Sequence, residues 1–178
     1  MMQKWIYLTE RRRLEKGPVS LSALVDMIQS GRLSAFVIVA PTAEFRENGL
    51  CAYMWPKVAG ALAADLPKLC RAWVRNSARR TKGDHDFWAW VVANELVEAQ
   101  PARGWRVVCA LVGAAPPGEV LGDVGAGPLE DMIRRHPTYH AQIVSRAKRD
   151  PKFRQCLGNV WDMHLTKSMR EVVGHRVP

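Results

Sequence analysis

The sequence predicts a small α+β module over residues 1–64 followed by an all-α helical bundle over residues 65–178, predominantly helical overall. Three observations carry this expectation. Two runs rich in aromatic and β-branched residues, Trp5-Ile6-Tyr7-Leu8 and Phe36-Val37-Ile38-Val39, lie in the first part and suit strands. From Leu66 onward apolar residues recur at spacings of three and four, the period of helices with one buried face. Helix-start punctuation then repeats at Gly127-Pro128, at Pro137 and at Asp150-Pro151, where proline loses nothing by lacking an N–H.

Taken in order, Trp5 to Leu8 is a strand, the charged run Thr9 to Lys16 follows, and Gly17-Pro18 is a turn. Ser20 caps a helix whose Leu21, Leu24, Val25 and Ile28 share a face, and Gly31 stops it. Phe36 to Val39 is a buried strand ended by Pro41, and Cys51 to Met54 is another short one. Trp55-Pro56 closes the unit, and Val58 to Ala64 is a short joining helix.

Leu66, Leu69, Cys70, Trp73 and Val74 form one face of the next helix, with Lys68, Arg71, Arg75 and Arg79 as a basic ridge on another. Asp84 caps a helix containing Phe87, Trp90, Val91 and Asn94 on one side and Trp88, Val92 and Glu95 on an adjacent one. Pro101 opens a further helix with Trp105, Val108, Cys109 and Val112 inward, broken at Ala114 to Gly118. Glu119 to Asp123 is at most one turn, and a new helix starts at Gly127-Pro128 with Glu130 and Asp131 at its positive end. Pro137 begins another, with Tyr139, Ile143 and Ala147 on one side. After Asp150-Pro151, Phe153, Cys156, Leu157, Val160 and Trp161 complete one apolar face.

Two resemblances follow from these residues. Trp5-Ile6-Tyr7, Gly17-Pro18-Val19-Ser20, Leu24, Ser30-Gly31-Arg32-Leu33-Ser34, Val39 and Trp55-Pro56 together resemble the bacterial relatives of the GYF domain, over about residues 3 to 60. The resemblance implies a small α+β adaptor module whose relatives bind proline-rich peptides on an aromatic patch. Trp5, Tyr7 and Trp55 either form such a patch or fill the module's core. Phe87-Trp88, Glu95, Trp105, the run Gly125-Ala126-Gly127-Pro128-Leu129-Glu130-Asp131, and Asp150-Pro151-Lys152-Phe153-Arg154 with Leu157 to Trp161 are similar to an uncharacterised bacterial helical family of unknown function. That second likeness covers about residues 68 to 165 and implies a compact helical domain without an assigned reaction.

The 178 residues and 48% hydrophobic content are sufficient for a substantial core. A net charge of +9 raises the prospect of an anionic partner. Cys51, Cys70, Cys109 and Cys156 form no CxxC pair and read as reduced core thiols, as expected of a cytoplasmic protein. The opening MMQKWIYLTERRR has no apolar signal-peptide run, and no stretch approaches the roughly 20 apolar residues of a bilayer span.

The chemistry sought is thin. His136 and His140 are four apart, but Pro137 between them spoils the shared helix face that a metal site needs, so no metal and no cofactor is expected. Asp84-His85-Asp86 suits a helix cap better than a proton relay. Gly125-Ala126-Gly127 lacks the rest of a phosphate loop, is followed by carboxylates that repel phosphate, and reads as a tight turn between helices. Glu95, if buried, needs a partner among the arginines from Arg71 to Arg79. GxSxG and HExxH are absent, no cysteine has a recognisable histidine context, and no catalytic residue is assigned.

The leading expectation is a non-catalytic interaction protein, of an immunity, adaptor or phage-conflict type, that binds another protein through aromatic and basic surface. Its candidate contacts are Trp5, Tyr7, Trp55, Arg71, Arg75, Arg79, Arg146 and Arg149. The alternative is a nucleic-acid-binding protein using basic helix faces, with Arg11-Arg12-Arg13 added, without sequence-specific readout. A second alternative is an enzyme with a carboxylate-centred site at Glu95 or Glu130.

Overall fold

The structure, a computed structural model, describes residues 4–8, 15–34, 36–41, 50–79 and 86–174. Strand β1 (Lys4–Leu8) sits inside a four-stranded sheet of order β2-β1-β3-β4, with β2 (Glu15–Ser20), β3 (Ile38–Pro41) and β4 (Leu50–Cys51) all antiparallel to their neighbours. Gly17-Pro18, expected as a turn, lies within β2 instead. Trp5 faces Val19 while Tyr7 faces Lys16, so β2 carries one extra residue there, a bulge that Gly17 accommodates at φ 129.

Helix α1 (Leu21–Gln29) begins as expected: the Ser20 hydroxyl accepts the Ala23 N–H, and Leu24 and Ile28 are buried. Phe36 falls outside β3 and is exposed, because the strand starts only at Ile38. Residues expected to extend β4 turn into a 3-10 segment, Ala52–Met54, ahead of α2 (Pro56–Leu62).

From there the chain is helical: α3 (Leu66–Arg79), α4 (Phe87–Ala99) and α5 (Pro101–Ala114) come first. The expected Asp84 cap and the histidine beside it lie outside the described residues, as do Arg11-Arg12-Arg13. Only Gln100 separates α4 from α5, so the two helices touch backbone to backbone near the corner.

The expected helix start at Gly127-Pro128 is overturned. Helix α6 (Glu119–Val124) runs through a π turn (Gly125–Leu129) into α7 (Glu130–Arg135) with helical backbone angles at the junctions. The Glu130 N–H reaches back five residues to the Gly125 carbonyl. That widened ring tolerates Pro128 inside the helix, where an ordinary turn would suffer a clash and a lost hydrogen bond. A side chain at Gly125 would bring its Cβ within 2.4 Å of the Cys156 carbonyl oxygen, so glycine permits the close packing, and the Cys156 thiol donates to the Leu121 carbonyl at 3.6 Å.

Helix α8 (His140–Arg149) buries Ile143 and Ala147, and α9 (Pro151–Leu157) follows directly. The Asp150 carboxylate accepts the N–H groups of Lys152 and Phe153 and pairs with Arg146 at 2.9 Å. Partial desolvation pushes its carboxyl pKa up, but these hydrogen bonds and the guanidinium outweigh it and hold the carboxyl below its ordinary value. Asp150→Ala is expected to cost about 1 kcal/mol in urea unfolding at neutral pH. The carboxylate's contribution is whole above the ordinary value of 3.8 and is lost as pH falls below it through the lowered folded value, so the difference between wild type and variant shrinks in acid.

Helix α10 (Lys167–Val173) closes the described chain. Trp5, Leu24, Val58 and Leu62 join Trp88, Leu96, Leu111, Phe153 and Met169 in one connected buried cluster. Among the described residues, no helix is long and apolar enough to cross a membrane.

Candidate functional site

Helix α4 runs through the centre of the helical layers and buries Trp88, Ala89, Val91, Val92, Ala93, Leu96 and Val97. A helix packed on so many sides leaves one narrow strip to solvent, and polar residues ordinarily occupy it. Here Phe87 and Trp90 stand on that strip, together with Asn94 and Glu98, at steps of three and four residues. Phe87 and Trp90 stack with centroids 5.4 Å apart and planes 9° from parallel, and Phe36 extends the group at 5.9 Å from Phe87. Phe36 and Trp90 keep 43% and 41% of their surface exposed, more than a core aromatic retains. Met54 is also exposed, on the 3-10 segment that packs against α4.

The base of this aromatic group is held by an ion pair. Arg75 on α3 donates through Nε and Nη2 to the two Asp86 carboxylate oxygens, both at 2.8 Å, just before α4 begins. The Asp86 side chain is 2% exposed, so the fork of the guanidinium supplies what water no longer can.

The expected contact residues fall into different places. Trp5 is 1% exposed, which removes it from any surface: its ring meets Trp55 edge to face at 5.5 Å in the core. Trp55 is half-buried and donates its indole N–H to the Val39 carbonyl at 2.8 Å, while Tyr7 is half-buried against the same core. The apolar requirement of a small sheet has absorbed these rings. Arg71 and Arg79 are exposed on α3, whereas Arg75 is committed to Asp86. Arg146 pairs with Asp150, and Arg149 donates to the Ser145 carbonyl. Since α3 packs on α4, α5 and α6 while α8 packs on α9 and α10, the two basic segments belong to different layers.

The other chemical candidates resolve in the same way. His136 Nε2 lies 2.6 Å from the Val97 carbonyl oxygen and His140 Nε2 2.8 Å from that of Ile133, so each imidazole stitches a helix junction. No group of three His, Cys, Asp or Glu among the described residues could hold a metal ion. Glu95 differs from expectation: Arg75 is taken by Asp86, and no ion pair reaches Glu95 among the described residues. Partial burial, then the charge of Glu98, pushes its carboxyl above the ordinary value. Glu130 accepts the backbone N–H of Trp161 at 3.0 Å and stands 3.9 Å from His164.

Burial pushes the Cys70 thiol up to about 11 and the Cys156 thiol up to about 12, both far above neutral pH. In native protein at pH 8, iodoacetamide is expected to label the half-buried Cys51 and Cys109 before these two, which react only on unfolding, as peptide mass spectrometry would show.

The sequence places Phe36 in a buried strand and Trp161 on an apolar helix face, and leaves open which way the side shared by Phe87 and Trp90 points; the structure exposes Phe36 and Trp90. Trp161 is instead 65% exposed, next to Met163 at 73%. One sign of the open strip was present: Glu98, an exposed carboxylate, shares it with Phe87 and Trp90.

A family model described as a family of unknown function matches residues 76–177. Neither a curated protein nor a solved structure matches the chain. The matched span includes Phe87, Trp90, Trp161 and Met163, and it leaves the sheet and Phe36 outside.

Proposed function

Because the chain belongs to a family of unknown function (DUF6869), its activity has to be argued from its own surface, and we propose that it is a non-catalytic interaction protein binding a protein partner through the face of Phe36, Phe87 and Trp90. The observation that carries this is the exposed stack itself. Three rings in a row, with Phe87 touching both Phe36 and Trp90 and those two each above 40% exposed, retain apolar area that a partner would remove from water. Aromatic anchors of this kind dominate the energetics of protein interfaces because they bring large area at small entropic cost.

On this reading residues 1–64 are a GYF-like adaptor module, residues 65–178 are a helical domain, and the aromatic face draws on both. Charge argues for protein over nucleic acid. Arg75, Arg134, Arg135, Arg146 and Arg170 are already paired with Asp86, Asp131, Glu98, Asp150 and Asp162, which would compete with a phosphate backbone.

The test is affinity capture from a lysate of the native host, with and without nuclease, comparing wild type with Trp90→Ala and Arg71→Ser/Arg149→Ser. Capture of a defined protein that survives nuclease and weakens about tenfold or more in Trp90→Ala is expected. Capture that vanishes with nuclease and with the arginine variant, while Trp90→Ala binds normally, would overturn the reading in favour of nucleic acid.

A further inference from the structure

Away from the aromatic face, an open hollow of about 270 Å³ lies among α2, α3, α4 and α5, and its lining includes Gly60, Leu66, Leu96, Val107, Arg103 and Arg106. The one-residue corner at Gln100 turns α5 back at once, and Arg103 and Arg106, one helical turn apart, reach the hollow from the same side. Gly60 makes room for this. A Cβ there would lie 2.8 Å from Arg103 Nη1, so the guanidinium occupies the space where a side chain on α2 would stand.

Both guanidinium groups carry uncompensated charge. Arg103 donates Nη1 to the neutral Gln100 side chain at 3.0 Å, and neither arginine forms an ion pair among the described residues. The lining contains no carboxylate. Of the carboxylates next to lining residues in the chain, Asp65, beside Leu66, accepts the Lys68 N–H, and Glu95 lies beside Leu96. The accessible apolar part of the lining, by contrast, is aliphatic: the half-buried Ala63 and Leu66, with the buried Leu96 and Val107 packed behind them.

Two positive forks over an apolar floor match an anion with an apolar body. Guanidinium groups bind carboxylate and phosphate alike, but a pair of them suits a group that carries nearly two negative charges near neutral pH. We propose that this hollow is a binding site for a small organic phosphate monoester, its phosphate held by Arg103 and Arg106 and its carbon chain laid against Ala63 and Leu66. The site is independent of the Phe36, Phe87 and Trp90 face, and neither stands or falls with the other.

The test titrates the full-length ¹⁵N-labelled chain with hexyl phosphate and follows the backbone amides of Gly60, Leu96 and Val107 and the Nε–H signals of both arginines. Saturable shifts confined to these groups are expected, with affinity falling about tenfold or more in Arg103→Gln/Arg106→Gln. Gly60→Ala is the sharper variant. It displaces only the end of a flexible side chain and favours the helix, so the protein stays folded while binding weakens several-fold.

Hexanoate, with one charge, is expected to bind several-fold more weakly; equal affinity would overturn the phosphate assignment. A phosphoserine hexapeptide carries the same group on a protein segment, and binding about tenfold tighter than hexyl phosphate would overturn the small-molecule assignment. Non-saturable shifts, shifts of equal size at Arg71 and Arg149, or undiminished binding in both variants would overturn the site itself.

Discussion

Gly104→Ala is expected to destabilise the protein by about 3 kcal/mol, while Gly113→Ala, nine positions along the same helix, stabilises it by about 0.5–1 kcal/mol. The two substitutions are chemically identical and both replace a helical glycine by the best helix former, so propensity alone predicts a gain at each. At Gly113 nothing lies within 4 Å of the added Cβ, and the gain is realised. At Gly104 the Cβ would stand 2.5 Å from the Val97 Cα and 2.8 Å from the Leu96 carbonyl oxygen. Those are backbone atoms of α4, which cannot rotate away, and the single residue at the corner gives the helices no slack to separate. Urea unfolding of the two variants against wild type checks the prediction, and a neutral Gly104→Ala would mean that α4 and α5 are farther apart than described here.

Arg75→Ala is expected to cost about 2–3 kcal/mol, more than Asp86→Ala, which is expected to cost about 1–2 kcal/mol. The asymmetry comes from burial. Removing the arginine strips a two-pronged partner from a carboxylate that is 2% exposed, whereas removing the aspartate leaves a guanidinium that is 48% exposed and can turn to water. The half-exposed arginine is also why the larger figure stays below that of a fully buried pair. In the double variant the losses fall short of their sum, since the buried charge has gone. Denaturation midpoints of the four proteins test this. Because Asp86 precedes α4, Arg75→Ala is also expected to loosen Phe87 and Trp90, so weakened partner capture by that variant reports on folding before it reports on contact.

Much of the architecture was legible in the chain. Ser20 and Asp150 act as caps because a short oxygen-bearing side chain before an apolar period has few better uses, and both accept the expected N–H groups. Pro101, Pro137 and Pro151 stand at helix starts for the equally local reason that φ is preset and no donor is lost, and Pro56, read as closing the first unit, opens α2 as well. The errors arose where a local signal met a distant partner. Gly127-Pro128 reads as a helix start, yet Cys156 and Asn159 hold Gly125 and Gly122 against α9, and the chain keeps winding through a π turn. Gly17-Pro18 reads as a turn, yet β1 pairs on either side of it and leaves a bulge.

The candidate sites were less legible, for the same reason. Periodicity identifies which side chains share a face, but Trp5 and Trp90 look equally suited to core or surface until the neighbours are in place. Trp5 packs against Trp55 in the core, whereas Trp90 on α4 keeps 41% of its surface exposed. Arg75 and Arg71 belong to one basic ridge in the sequence, and only the approach of Asp86 makes the first structural and leaves the second exposed. The amino-acid order by itself determined the helical character and the caps, because these depend on bonds within a few residues. Tertiary packing alone decided which rings and guanidinium groups face outward and where α2 leaves a hollow under Arg103, because burial and pairing depend on residues far apart in the chain.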